Sequence, residues 1–168
     1  MHPTDILKYG HQTIVQSVNG LVEQDWNLPG ACGYWSVREI IAHLASFEHL
    51  LIDVLQLVLD KNNSTSILQR FADEGIAFND NQVALRKDQM VAETWNEYKK
   101  IYHQSFEIFN TIPVQQHKET GLLTFYGEEY DLEDFLVYTF YGHKREHGAQ
   151  INAFRDILEQ QKVTDTYA

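Results

Sequence analysis

A single cysteine, Cys32, stands in the chain, so no disulfide can close within it. One thiol in a chain of this size fits a reducing compartment, and a cytoplasmic location is the expectation. The opening residues, MHPTDILKYGHQ, lack the basic start and apolar core of a secretory signal. No run of 18 apolar residues occurs, so no membrane span is expected. Proline is scarce, with three in 168 residues, and no segment is low in complexity or linker-like. The chain therefore reads as one domain, 1–168, with enough length for a real core. Basic residues are few as well. Thirteen Lys and Arg against 24 Asp and Glu leave a net charge of −11, and Arg86/Lys87 and Lys99/Lys100 are isolated pairs. Without a basic patch to displace counterions, nucleic acids and anionic membranes are excluded as expected partners.

What the sequence does have is helical periodicity. Leu7, Ile14, Val18, Leu21 and Val22 recur at three- and four-residue spacing and predict a first helix from about Thr4 to Asp25. WNLPGACGY then reads as a loop. Ser36 followed by Glu39 has the spacing of a capping box, with Trp35 and Ile40 placed as a hydrophobic staple. The second helix runs from there to about Asp60. Ile40, Ile41, Leu44, Phe47, Leu51, Val54, Leu55 and Val58 make it apolar over a wide face, which suits a central element. KNNSTS is a loop, and a short helix near Ile67–Ala72 precedes irregular chain up to 87. A third long helix is expected to start at a cap on Asp88 and to end at Pro113. LLTFYGEEYDL suggests a minor β-hairpin about Gly127, near 123–131. Asp131 and Asp134 again have capping-box spacing, and a fourth helix follows from Leu132 to about Gln160. The expected fold is all-α, a four-helix bundle.

Two helices carry histidines on their apolar stripes. In YGHKREHGAQI, His143 and His147 lie four residues apart, so both imidazoles leave from nearly the same face. The stripe Leu132, Leu136, Phe140, His143, His147, Ile151, Phe154, Leu158 carries straight through them. On the second helix, His43 takes an apolar place in the row Ile40, His43, Phe47, Leu50, Val54. An inward histidine is ordinarily a core ring with its nitrogens hydrogen-bonded. Three of them on two central helices are costly to bury unless each finds partners, and one shared metal ion satisfies all three. His49 lies well round its helix from His43, off that face. His2, His11, His103 and His117 show no partner pattern. Cys32 in PGACGY is either a reactive thiol or a small residue in a turn.

WSVREIIAHLASFE, followed about a hundred residues later by YGEEYDLEDFLVYTFYGHKREHGAQI, resembles the DinB/YfiT-like superfamily of metal-dependent proteins. There a Trp-Ser/Thr start leads into a helix bearing the first metal histidine, matched by His43. A late helix bears an H-x-x-x-H pair and a Gln-Ile, matched by His143, His147, Gln150 and Ile151. GIAFNDNQV resembles the Asn-containing connection of one branch, and the resemblance spans about residues 4–160. It implies a DinB-like four-helix bundle, often a homodimer, with a divalent metal held by three histidines. It further implies a thiol-dependent S-transferase or isomerase using mycothiol, bacillithiol or glutathione, although many members have no known activity.

Three neutral imidazoles with an open fourth position form the layout of a catalytic zinc centre, and nickel or iron also accept such ligands. Ligating histidines usually donate their other N–H to an acceptor. Glu39, Glu48, Glu146 and Gln150 are the residues near them in sequence. No G-x-S-x-G, P-loop, H-E-x-x-H or dinucleotide fingerprint is present. A di-iron E-x-x-H reading fails because Ala149 stands where Glu146 needs its histidine. Three readings stay open. One is a metal-dependent transferase joining a low-molecular-weight thiol to a small-molecule electrophile. The second is a non-catalytic metal- or ligand-binding bundle, and the third a structural domain with polar core histidines.

Overall fold

The computed structural model describes residues 3–60 and 63–166; His2 and the first two residues of the KNNSTS loop lie outside them. The order is α1 (Pro3–Val18), α2 (Glu23–Trp26), α3 (Val37–Leu59), α4 (Ser66–Glu74), α5 (Phe78–Ala84) and α6 (Val91–Phe109). A 3-10 turn (Val114–Lys118), α7 (Leu132–Phe135), a π-helical turn (Leu136–Tyr141) and α8 (Gly142–Thr166) follow. The fold is all-helical. Among the described residues the nearest thing to a strand is an isolated bridge between Cys32 and Trp35.

Both capping boxes form. Ser36 Oγ accepts from the Glu39 N–H while the Glu39 carboxylate accepts from the Ser36 N–H at 2.8 Å. Asp131 and Asp134 cap α7 in the same reciprocal way. Elsewhere the periodicity misplaces boundaries. α1 stops at Val18, because Gly20 turns the chain at φ +82°, and Glu23–Trp26 is a separate short helix. α6 starts at Val91 rather than at Asp88. Consecutive turns occupy 83–89, and the Glu93 carboxylate takes the Met90 N–H at 2.7 Å. The hairpin near 123–131 does not form. Its backbone bonds are local, from the Tyr126 and Gly127 N–H groups to Leu123 O and from the Tyr130 N–H to Gly127 O. Buried Leu123 anchors these turns in the core, so no strand pairing is needed to hold them.

Among the long helices, α3 packs on α6 and α8, and α1 packs on α8 and α6. The interior has two apolar regions. One gathers around Leu7, Leu51, Leu55, Phe109 and Phe140, the other around Ile14, Ile40, Ile41, Tyr98 and Ile151. Among the described residues α3 alone is long and apolar enough to cross a membrane. Of that stretch 72% is buried inside the protein, the condition of a core helix.

α1 and α8 approach closely at Gly148, where an added Cβ would stand 2.8 Å from Thr13 Cγ2. Thr13 has little freedom to yield, because its hydroxyl donates to Tyr9 O at 2.9 Å. Gly148→Ala should therefore lower stability, since overpacking of about 1–3 kcal/mol exceeds the helix-propensity gain of about 1 kcal/mol. In a Thr13→Ser background, which lacks that methyl, the same change should stabilise. Urea melts of the four proteins in this cycle check it.

Candidate metal centre

His43 projects from the second turn of α3, and His143 and His147 from the first two turns of α8. Capping fixes the rotation of α3 from its first residue. The π-helical turn ahead of Gly142 sets that of α8. The three imidazoles meet through their Nε2 atoms, with His143 Nε2 2.8 Å from His43 Nε2 and 2.9 Å from His147 Nε2. His43 and His147 are buried, at 2% and 6% exposure, and His143 is half-buried. The group thus closes on its inner side and opens at His143.

Hydrogen bonds alone do not satisfy this arrangement. His147 Nδ1 pairs with Gln150 Oε1 at 2.8 Å, which places the proton on Nδ1 and leaves a lone pair on Nε2. An imidazole nitrogen offers either one N–H or one lone pair, so His143 Nε2 cannot bond both neighbours at once. A cation accepts all three lone pairs. Bonds of about 2.0–2.1 Å in a tetrahedral shell set ligand atoms roughly 3.3 Å apart, so small ring movements fit the observed group to an ion. The three histidines could hold a metal.

The electrostatics keep the rings neutral, the form that ligates. Burial pushes His43 down to about 2 and His143 down to about 3, with the neighbouring histidines adding to the effect. Burial also lowers His147, partly offset by Gln150 and by the charge of Glu146.

The four flanking polar residues separate cleanly. Gln150 touches the cluster. Glu39 is spent on the cap of α3. Glu146 is exposed and acts on His147 through its charge alone. Glu48 is fully buried but pairs with Lys144 rather than with a histidine. His43 Nδ1 is buried without a hydrogen-bond partner among the described residues, which supply no acceptor for that ring. Aromatic rings surround the cluster instead: Trp35 lies 5.0 Å from His43, and Phe47 lies 4.8 Å from His43 and 4.6 Å from His143. Phe71 and Phe78 extend this wall outward from Phe47.

The remaining described histidines are elsewhere. His49 pairs with Glu97, His117 with Ile112 O, and His11 with the Tyr98 hydroxyl, while His103 is exposed. Burial and the charge of Glu146 push the Cys32 thiol up, the opposite of an activated nucleophile. Lys144 was not singled out by the histidine stripe. Yet Phe140, Lys144, His147 and Ile151 also step by four, three and four, and that alternative row is the buried one. Comparison with known protein families, curated proteins and solved structures finds no match.

The lowered histidines link stability to pH in the metal-free protein. Unfolding restores ordinary values near 6.5, so between that pH and about 3 the unfolded chain binds more protons than the folded one. Stability should fall as pH drops through that window, and His43→Leu should flatten the profile. Urea midpoints at pH 4.5 and pH 7.0 for both metal-free proteins check the sign.

Proposed function

We propose that His43, His143 and His147 bind one divalent metal ion, zinc first and nickel second, and that the chain is a DinB/YfiT-like four-helix bundle. The observation that carries this reading is the convergence of three buried or half-buried Nε2 atoms from two helices at sequence positions a hundred residues apart. The motif order around those residues supports the family assignment. A homodimer in the cytoplasm accompanies that assignment as part of the same proposal.

The reaction we propose is transfer of a low-molecular-weight thiol to a small electrophile. His43, His143 and His147 would hold the ion, which when bound would supply the Lewis acidity that makes a thiol acidic near neutral pH. The chain's own residues do the rest. Gln150 holds the His147 ring in the tautomer whose lone pair faces the cluster. Trp35 and Phe47 line its flanks with apolar surface that keeps water from competing. Half-buried His143 marks the side by which small molecules enter. In the overall step a carbon–sulfur bond forms and the bond to a leaving group such as halide breaks. The leaving group departs with its electron pair and the thiol proton passes to solvent; with an epoxide or an unsaturated acid the opened C–O or C=C electron pair takes up a proton instead.

Elemental analysis of protein purified without added metal should find about one divalent ion per chain, by the stoichiometry of a single site. Alanine at His43, His143 or His147 should strip most of it, whereas His49→Ala should retain it, because His49 faces Glu97. Stoichiometric metal in the His143→Ala variant contradicts the assignment. Metal-loaded protein is then mixed with glutathione, bacillithiol or mycothiol and a panel of epoxides, halogenated compounds and unsaturated acids. Metal-dependent conjugation supports the transferase, and its absence with every thiol leaves a non-catalytic metal-binding bundle.

A further inference from the structure

We propose that the buried ion pair between Lys144 and Glu48 is the positioning element that brings the ligands of α8 into register with the ligand of α3. The inference rests on the three-histidine reading above. Lys144 is 2% exposed and Glu48 is fully buried, and their charged groups are in direct contact. The pair joins the same two helices that carry the histidines. On α8, Lys144 follows His143 and precedes His147 by three residues; on α3, Glu48 follows His43 by five. Placing either charge therefore fixes the rotation and height of the imidazoles on its own helix.

Apolar contacts between helices are non-directional and tolerate sliding. An ion pair does not. A one-residue slip of α8 turns it by about 100° and moves it about 1.5 Å, separating two charges that have no water to fall back on. Buried pairs add little net stability over apolar residues of similar shape, and their best-attested use is to fix register. The surroundings extend the constraint to the other long helices. Glu48 Oε2 accepts from Ser105 Oγ at 2.7 Å, on α6. Lys144 Nζ lies 5.2 Å over the ring of Tyr102, also on α6, and the same ring stacks with His11 of α1 at 3.7 Å. Gly10 of α1 makes room for the lysine stem, since a Cβ there would stand 3.2 Å from Lys144 Cδ. Ligands set by such a pair lose affinity without losing the fold when it is removed.

The test uses full-length metal-free protein titrated with cobalt(II), read by its visible spectrum, with helicity and thermal melting followed in parallel. The Glu48→Leu/Lys144→Met variant should stay helical and melt cooperatively, yet bind cobalt roughly 10- to 100-fold more weakly, the range for losing residues that orient metal ligands. Its visible band should change. The charge-exchanged variant Glu48→Lys/Lys144→Glu, which keeps an ion pair, should recover most of the affinity. A folded apolar variant with wild-type cobalt affinity and spectrum overturns the proposal. So does an apolar variant that fails to fold, because the pair then serves the fold as a whole. A folded charge-exchanged variant that binds no better than the apolar one also overturns it. If the wild-type protein takes up no cobalt, the three-histidine reading itself falls, a result distinct from equal binding by wild type and variant.

Discussion

A charge buried between two apolar regions must keep its counter-charge, and the packing of this protein is arranged around one such requirement. The apolar regions centred on Leu51 and on Ile40 are separated along α3 by a polar stretch containing Ser46 and Glu48. At the same level stand His11 on α1, Tyr102 and Ser105 on α6, and Lys144 on α8. Every long helix contributes to this layer. Within it a mismatch leaves polar atoms stranded in a low-dielectric interior.

The histidine cluster lies against this layer and differs from it in one respect. The ion pair sets a charge against its counter-charge within the protein, whereas the three Nε2 atoms compete for a single proton at most between each pair. The layer is thus charge-balanced as protein, and the cluster is a group that could hold a cation. That contrast separates a polar core feature from a ligand set more sharply than burial does, since both groups are buried.

Much of the fold was legible because its signals are local. The two capping boxes rest on side chains three residues apart, and the apolar face of α3 repeats over several turns. The three candidate ligands were legible for a similar reason, as polar residues occupying apolar places in a periodic row. Less local features were missed. The end of α1 depends on the left-handed backbone of Gly20, and the start of α6 on where the preceding turns finish. The short helix expected near Ile67–Ala72 forms as α4, whereas α5 replaces expected irregular chain: its seven residues, with Phe78, Gln82 and Val83 buried, are too few turns for a periodic signal. Lys144 was passed over because a lysine beside His143 reads as solvated until Glu48, ninety-six residues earlier in sequence, is known to face it. Glu48 was considered for the wrong partner on the same grounds: sequence distance to His43 places it nearby but says nothing of the side from which Lys144 arrives.

The central claim is that three imidazole nitrogens from α3 and α8 share one ion. X-ray absorption at the metal edge of protein loaded with one equivalent of zinc tests it most directly. The account predicts a shell of light scatterers containing about three imidazole nitrogens near 2.0–2.1 Å, with the outer-shell features of imidazole rings. The His143→Ala protein should lose this pattern. A sulfur-dominated shell near 2.3 Å, a shell without imidazole features, or an unchanged spectrum in the His143→Ala protein would contradict it.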